Sequence, residues 1–198
     1  MKPTRITFFL AILALFWFGC GRADKSAAAP LEINQDSITL TDLVINVYAW
    51  REKVNHQEDF TVMADDSDTA YTGIDWKAFD AHLSSLVESA YFHTQFIDNH
   101  KKIAQQIDDD LKKGKIVWLV DDISPFGNGA NPWCNCQDYP NEYWKIITLV
   151  DLKIDNEKAN FSWTWGNGFY YKASAIKESG VWKISYLEGF DFNKYLSL

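Results

Sequence analysis

Three cysteines in 198 residues are too few for a disulfide-dense scaffold. Basic residues are also short, 19 Lys and Arg against 27 Asp and Glu, which excludes the cationic surface that nucleic-acid binding needs. No phosphate loop, dinucleotide fingerprint, nucleophile elbow or metal-ligand motif occurs, so the enzyme classes built on those loops are not announced. After residue 18 every long apolar stretch is broken by charge, and no later segment reads as a bilayer-spanning helix.

What is present begins with a leader. Lys2 and Arg5 precede an apolar run from Ile6 to Phe18, interrupted only by Thr7, that stops at Gly19-Cys20. The run is shorter than the roughly 18 to 20 residues of a spanning helix, so residues 1–19 read as a signal peptide. Trp17-Phe18-Gly19-Cys20 resembles a bacterial lipoprotein box, with Gly19 and Cys20 matching and Trp17 and Phe18 departing from it. The resemblance implies acylation of Cys20 and a membrane anchor through its lipid. Gly21 after the cysteine resembles outer-membrane sorting. The rival is ordinary cleavage after Ala29 or Ala23, and Pro30 disfavours the first. Loss of Lys2 and Arg5 leaves seventeen basic residues against twenty-seven acidic, a formal charge of −10.

Residues 20–36, small and polar around Ala27-Ala28-Ala29-Pro30, read as a lipidated tether, and residues 37–198 as one domain. Thr41 or Asp42 is the expected cap of a first helix with Leu43, Val44, Val47 and Tyr48 on its apolar face. Lys53 to Gly73 is acidic, and Asp65, Asp66 and Asp68 lack the glycine and terminal glutamate of a calcium loop, so a solvated loop is expected. Asp75 caps a second helix with Phe79, Leu83, Leu86, Val87 and Ala90 inward; Thr94 caps a third, with Phe96, His100, Ile103, Ile107 and Leu111 inward and Gly114 at its end. Alternation then predicts strands from Ile116 to Val120 and from Tyr143 to Ile154, where Trp144, Ile146, Thr148, Val150, Leu152 and Ile154 share a face. Phe161, Trp163 and Trp165 alternate in another. Asn167-Gly168 and Ser179-Gly180 mark hairpin turns leading to Phe169–Ile176 and Val181–Tyr186. The expected fold class is α+β: three N-terminal helices packed against a curved antiparallel sheet of about four strands.

That order is similar to the cone-shaped fold of the nuclear transport factor 2 superfamily. Gln137-Asp138-Tyr139-Pro140, Val47-Tyr48-Ala49-Trp50, Ser89-Ala90-Tyr91-Phe92 and Gly180-Val181-Trp182-Lys183-Ile184 resemble the bacterial exported proteins grouped as domain of unknown function 3828. The likeness spans most of residues 40 to 190. The Gly- and Asn-rich approach from Asp121 to Asn135 departs from it. The resemblance implies fold and export but no activity.

The segment from Asp121 to Trp144 also holds Asp122, Trp133, Cys134, Cys136 and Glu142. It forms either the rim of a ligand site or a turn organised by Asp138, with Trp133 and Tyr139 sealing the core. Cys134 and Cys136, two apart, read equally as a disulfide or as two thiols, and no nearby Cys or His completes a zinc spacing. Trp163, Trp165, Tyr170 and Tyr171 flank the Asn167-Gly168 turn and would stack on a ligand if they faced a cavity, or are ordinary core if they face the helices, the expected place of at least half of them. The candidate ligand-binding set is therefore Trp133, Asp138, Tyr139, Tyr91, Trp163, Trp165 and Tyr170. His93 and His100, seven apart, read as surface or core-edge residues. No metal or cofactor is assigned. The leading expectation is a non-catalytic, lipid-anchored envelope protein that binds a small ligand or an envelope partner. The alternatives are a surface-contact or inhibitory protein, and an isomerase- or dehydratase-like acid/base enzyme using Asp138 with Tyr91 or Tyr170.

Overall fold

The computed structural model describes residues 35–54 and 58–197; the expected leader, Cys20 and most of the tether lie outside the described residues. The fold is α+β, with helices preceding a four-stranded antiparallel sheet. The first helix, α1 (Gln35–Lys53), opens six residues before its expected cap and takes in the last two tether residues. The cause is tertiary. The Asp36 carboxylate accepts from Lys177 Nζ at 2.7 Å and from Trp182 Nε1 at 2.9 Å, so the first turn is pinned to the sheet. Leu40, Leu43, Val44, Val47, Tyr48 and Arg51 are buried along one face, at helical spacing.

The acidic stretch expected as a plain loop contains a hairpin, β1 (Val62–Ala64) and β2 (Tyr71–Ile74). Asp65 serves its turn, accepting from the Thr69 backbone N–H and hydroxyl at 2.7 Å each. Asp75 caps α2 (Trp76–Glu88) as expected, through bonds from Lys77 N and Ala78 N. Its buried face is Phe79, His82, Leu83 and Leu86; Val87 instead points outward, and Ala90 lies past the helix end at φ 60°. His93, not Thr94, caps α3 (Thr94–Lys112), its Nδ1 accepting from Gln95 N at 3.1 Å. Gly114 at φ 63° follows the helix end, and only glycine takes that conformation without strain. The Asp108 carboxylate on α3 accepts from Ile74 N at 2.9 Å and joins β2 to the helix.

Residues 116–120 form no strand beyond a single Ala70–Leu119 bridge, because the hairpin edge offers only a short partner there. Tyr143–Ile146 is a 3-10 turn, and β3 (Thr148–Asp155) starts later than alternation suggested. An irregularity between Val150 and Lys153, with Asp151 at φ 53°, breaks the expected shared face: Thr148 is exposed while Leu152 and Ile154 are half-buried. The remaining strands, β4 (Lys158–Gly166), β5 (Phe169–Glu178) and β6 (Val181–Leu187), give the sheet order β3-β4-β5-β6. Asn167 and Gly168 both have positive φ, as the tight hairpin turn demands. Residues 91–93 cover the edge of β6, where His93 N donates to Ile184 O and Ile184 N to Tyr91 O, both at 2.8 Å. A 3-10 turn (Glu188–Phe190) and a short helix, α4 (Phe192–Tyr195), finish the chain.

Candidate functional site

Each of the three long helices carries a polar side chain on its buried stripe that faces the same point: Arg51 on α1, His82 on α2 and His100 on α3, which also buries Asp108 against β2. A polar group at such a position costs stability unless it finds a partner. All three converge on Asp59, in the turn before β1. His82 Nε2 lies 3.3 Å and His100 Nε2 3.8 Å from Asp59 Oδ1, and Arg51 lies 3.6 Å from Oδ2. Trp133 Nε1 donates to both oxygens, at 3.1 Å to Oδ1 and 2.9 Å to Oδ2. The carboxylate is thus divided, one oxygen toward the two imidazoles and the other toward Arg51 and the indole. Its residue is 8% exposed, His82 3% and His100 0%.

Burial alone would raise the Asp59 pKa; contacts from His100 and His82 and the Arg51 charge outweigh it and hold the carboxyl far below the usual range. Burial pushes His100 down, against the pull of Asp59, so its neutral form is favoured. Neither ring nitrogen of His82 or His100 has a well-formed hydrogen bond among the described residues.

Trp133 is held from several sides. The Tyr48 hydroxyl donates to Trp133 O at 2.7 Å, and the Tyr171 hydroxyl donates to Pro132 O at 2.6 Å while accepting from Gly189 N at 3.0 Å. Burial pushes both tyrosines well above their ordinary pKa, so they remain hydroxyl donors. Gly189 lies so close to the Pro132 carbonyl that a Cβ there would overlap it. Cys134 and Cys136 are joined by a disulfide with Cα atoms 5.1 Å apart, directly after the indole.

Asp59 also belongs to the wall of a cavity of about 490 Å³, with Phe60, Tyr71, Trp118, Asp122 and Tyr195. Glu58 adds a further carboxylate, and among the described residues no lysine or arginine lines it. The residues singled out from sequence lie elsewhere. Trp163 is wholly buried among Tyr48, Tyr143 and Tyr171; Trp165 stacks on Phe169 at 3.6 Å. Tyr139 packs edge-on against Tyr143 and Tyr91 against Trp50. Tyr170 is 64% exposed, and Asp138 is exposed and outside the cavity wall. Of that set only Trp133 reaches Asp59. His93 and His100 part company, one capping α3 and the other inside the core.

Sequence reasoning missed Arg51, Asp59 and His82. A signal existed for His82, since Phe79, His82 and Leu86 repeat at helical spacing as Phe96, His100 and Ile103 do. For Asp59, in an acidic stretch, no local pattern separates it from its solvated neighbours. Comparison of the chain with protein-family models, curated proteins and solved structures gives no match in any of the three.

Proposed function

We propose that this is a lipid-anchored envelope protein, held by an acylated Cys20 and probed from solution by small ligands, that binds one of them in the cavity beside Asp59 without chemical conversion. The leader supports the anchoring, by its length and its Gly19-Cys20 end. Among the described residues no helix is long and apolar enough to cross a membrane. Helices followed by a four-stranded meander support a cone-shaped, nuclear transport factor 2-like arrangement and the resemblance to domain of unknown function 3828.

The observation that carries the binding reading is the composition of the cavity wall. Its volume of about 490 Å³ suits a small molecule. Rings of Tyr71, Trp118 and Phe126 offer flat contact area, while Glu58, Asp122 and Asn131 offer hydrogen-bond acceptors. The ligand this wall fits has a flat or compact body bearing N–H or O–H donors, an amine or a polyol. A thermal-shift screen of amines, amino sugars and polyols, followed by calorimetry, tests it. Trp118→Ala and Asp122→Asn are expected to lose binding by tenfold or more; ligands that bind both variants as tightly as the wild type would refute the site.

A surface-contact reading is favoured by one specific feature. Val117 and Ile123, on the segment that borders the cavity, are 77% and 81% exposed. Val117→Asp with Ile123→Asp is expected to abolish recovery of a stoichiometric partner from solubilised envelope if that reading holds.

A further inference from the structure

We propose that Asp59, His82 and His100 form a binding site for one divalent transition-metal ion of the zinc class. One donor atom from each residue falls within 4.8 Å of the other two, and all three residues are buried. A tetrahedral ion bound at about 2.0 to 2.2 Å requires donor atoms roughly 3.3 to 3.5 Å apart. Asp59 Oδ1 and His82 Nε2 meet that spacing at 3.3 Å; His100 Nε2 stands 3.8 Å from the same oxygen and the imidazole donors lie within 4.8 Å of each other, so the histidines close on the ion by side-chain shifts. Two imidazoles and one carboxylate select zinc, cobalt or iron over magnesium and calcium, which take oxygen ligands.

The surroundings fit as well. A ligating carboxylate needs its other oxygen held, and Trp133 Nε1 at 2.9 Å with Arg51 at 3.6 Å holds Oδ2. Histidine ligates through the neutral imidazole. Arg51 and Asp59 already cancel in charge, so the pair alone would explain a buried ionic contact without two histidines at core positions of two helices. Bound to a neutral ligand pair, the ion adds two positive charges. Glu58 and Asp122 on the adjoining cavity wall offset them. Because Asp59 is itself part of that wall, the cavity is the ion's route from solvent and the side on which a fourth donor, water or ligand, is added. This site stands whether or not an organic ligand occupies the cavity.

The test is titration of the full chain, stripped with chelator and kept in detergent, with Zn²⁺ by calorimetry and with Co²⁺ by visible absorption. One ion per chain is expected, at micromolar affinity or better, with cobalt ligand-field bands lacking any thiolate charge-transfer band. His82→Gln and His100→Gln are each expected to weaken binding by at least a hundredfold while circular dichroism confirms the fold. Trp133→Phe should weaken it ten- to a hundredfold by freeing the carboxylate. Should the histidine variants not fold, the Co²⁺-loaded wild type is read by NMR, where two hyperfine-shifted imidazole N–H signals are expected. The proposal is overturned by no uptake at 100-fold excess of either ion over protein, by full binding in a folded His82→Gln/His100→Gln double variant, or by a cobalt spectrum without imidazole signals.

Discussion

Replacing Trp133 and Trp163 each by Phe makes the same chemical change at two positions with 1% and 0% exposure. The surroundings of the two N–H groups differ. Trp133 donates to both Asp59 oxygens, whereas Trp163 Nε1 has no well-aligned acceptor among the described residues. Both variants lose roughly 40 Å³ of side chain, worth about 1 kcal/mol if the core does not close. Trp133→Phe loses in addition a hydrogen bond to a buried carboxylate, worth about 1.5 to 3 kcal/mol. Trp163→Phe loses no such bond and relieves a buried donor. The expected gap is therefore about 2 to 3 kcal/mol, with Trp133→Phe the less stable. Urea unfolding followed by far-ultraviolet circular dichroism measures it without depending on indole emission, and equal m-values would show that the same surface is exposed. In an Asp59→Asn background the gap should shrink, since the neutral amide is the weaker acceptor. Equal losses in the two single variants would refute the claim that the indole N–H stabilises this carboxylate.

Gly189→Ala should destabilise by about 3 kcal/mol, because its Cβ meets the Pro132 carbonyl and the loop carrying Trp133 must move; a melting-temperature loss below a few degrees would contradict it. Reduction of Cys134–Cys136 should cost only about 1.5 kcal/mol, since the ring it closes is short, and is read as a small melting shift with reductant. For Asp108, burial raises the pKa but Lys112 and the Ile74 N–H outweigh it, so the folded value lies below the ordinary 3.8. The unfolded chain therefore binds the proton first as pH falls. Its contribution to stability is present above about pH 4 and is lost as pH drops through the folded value, and Asp108→Asn should flatten that acid limb of the melting curve.

Much of the fold was written locally. Asp75 before an apolar stripe, Gly114 after one, and Asn167-Gly168 between alternating runs are signals that act over a few residues, and each element stands where such a signal placed it. The misplacements arose where distant contacts decide. Asp36 extends α1 because Lys177 and Trp182 lie across the fold, and residues 116–120 stay irregular because the β1–β2 hairpin is too short to pair with them. Tyr143–Ile146 reads as strand by alternation, yet Glu142 at φ 52° turns the chain and Tyr143 packs among Tyr48, Tyr139 and Trp163 instead.

The site was less legible than the fold for the same reason, taken further. Arg51, His82 and His100 each occupy a stripe position that hydrophobic periodicity reserves for an apolar residue, and on one helix at a time each reads as a tolerable exception. An exception on each of three consecutive helices carries a meaning that none has alone, because packed helices bring their stripes into one core; Asp108, the other buried polar residue of α3, is taken up by Ile74 N and Lys112. A buried cation and two buried imidazoles then require an anion, and the acidic segment following α1 supplies Asp59. Trp133 was visible as either a rim aromatic with a ring to offer a ligand or a seal on the core; its ring is in the core, and its N–H is the working part. Polar residues on apolar stripes, counted across elements rather than within them, are thus the sequence feature that points to this centre, whereas exposed aromatics and the Gln137-Asp138-Tyr139-Pro140 turn point away from it.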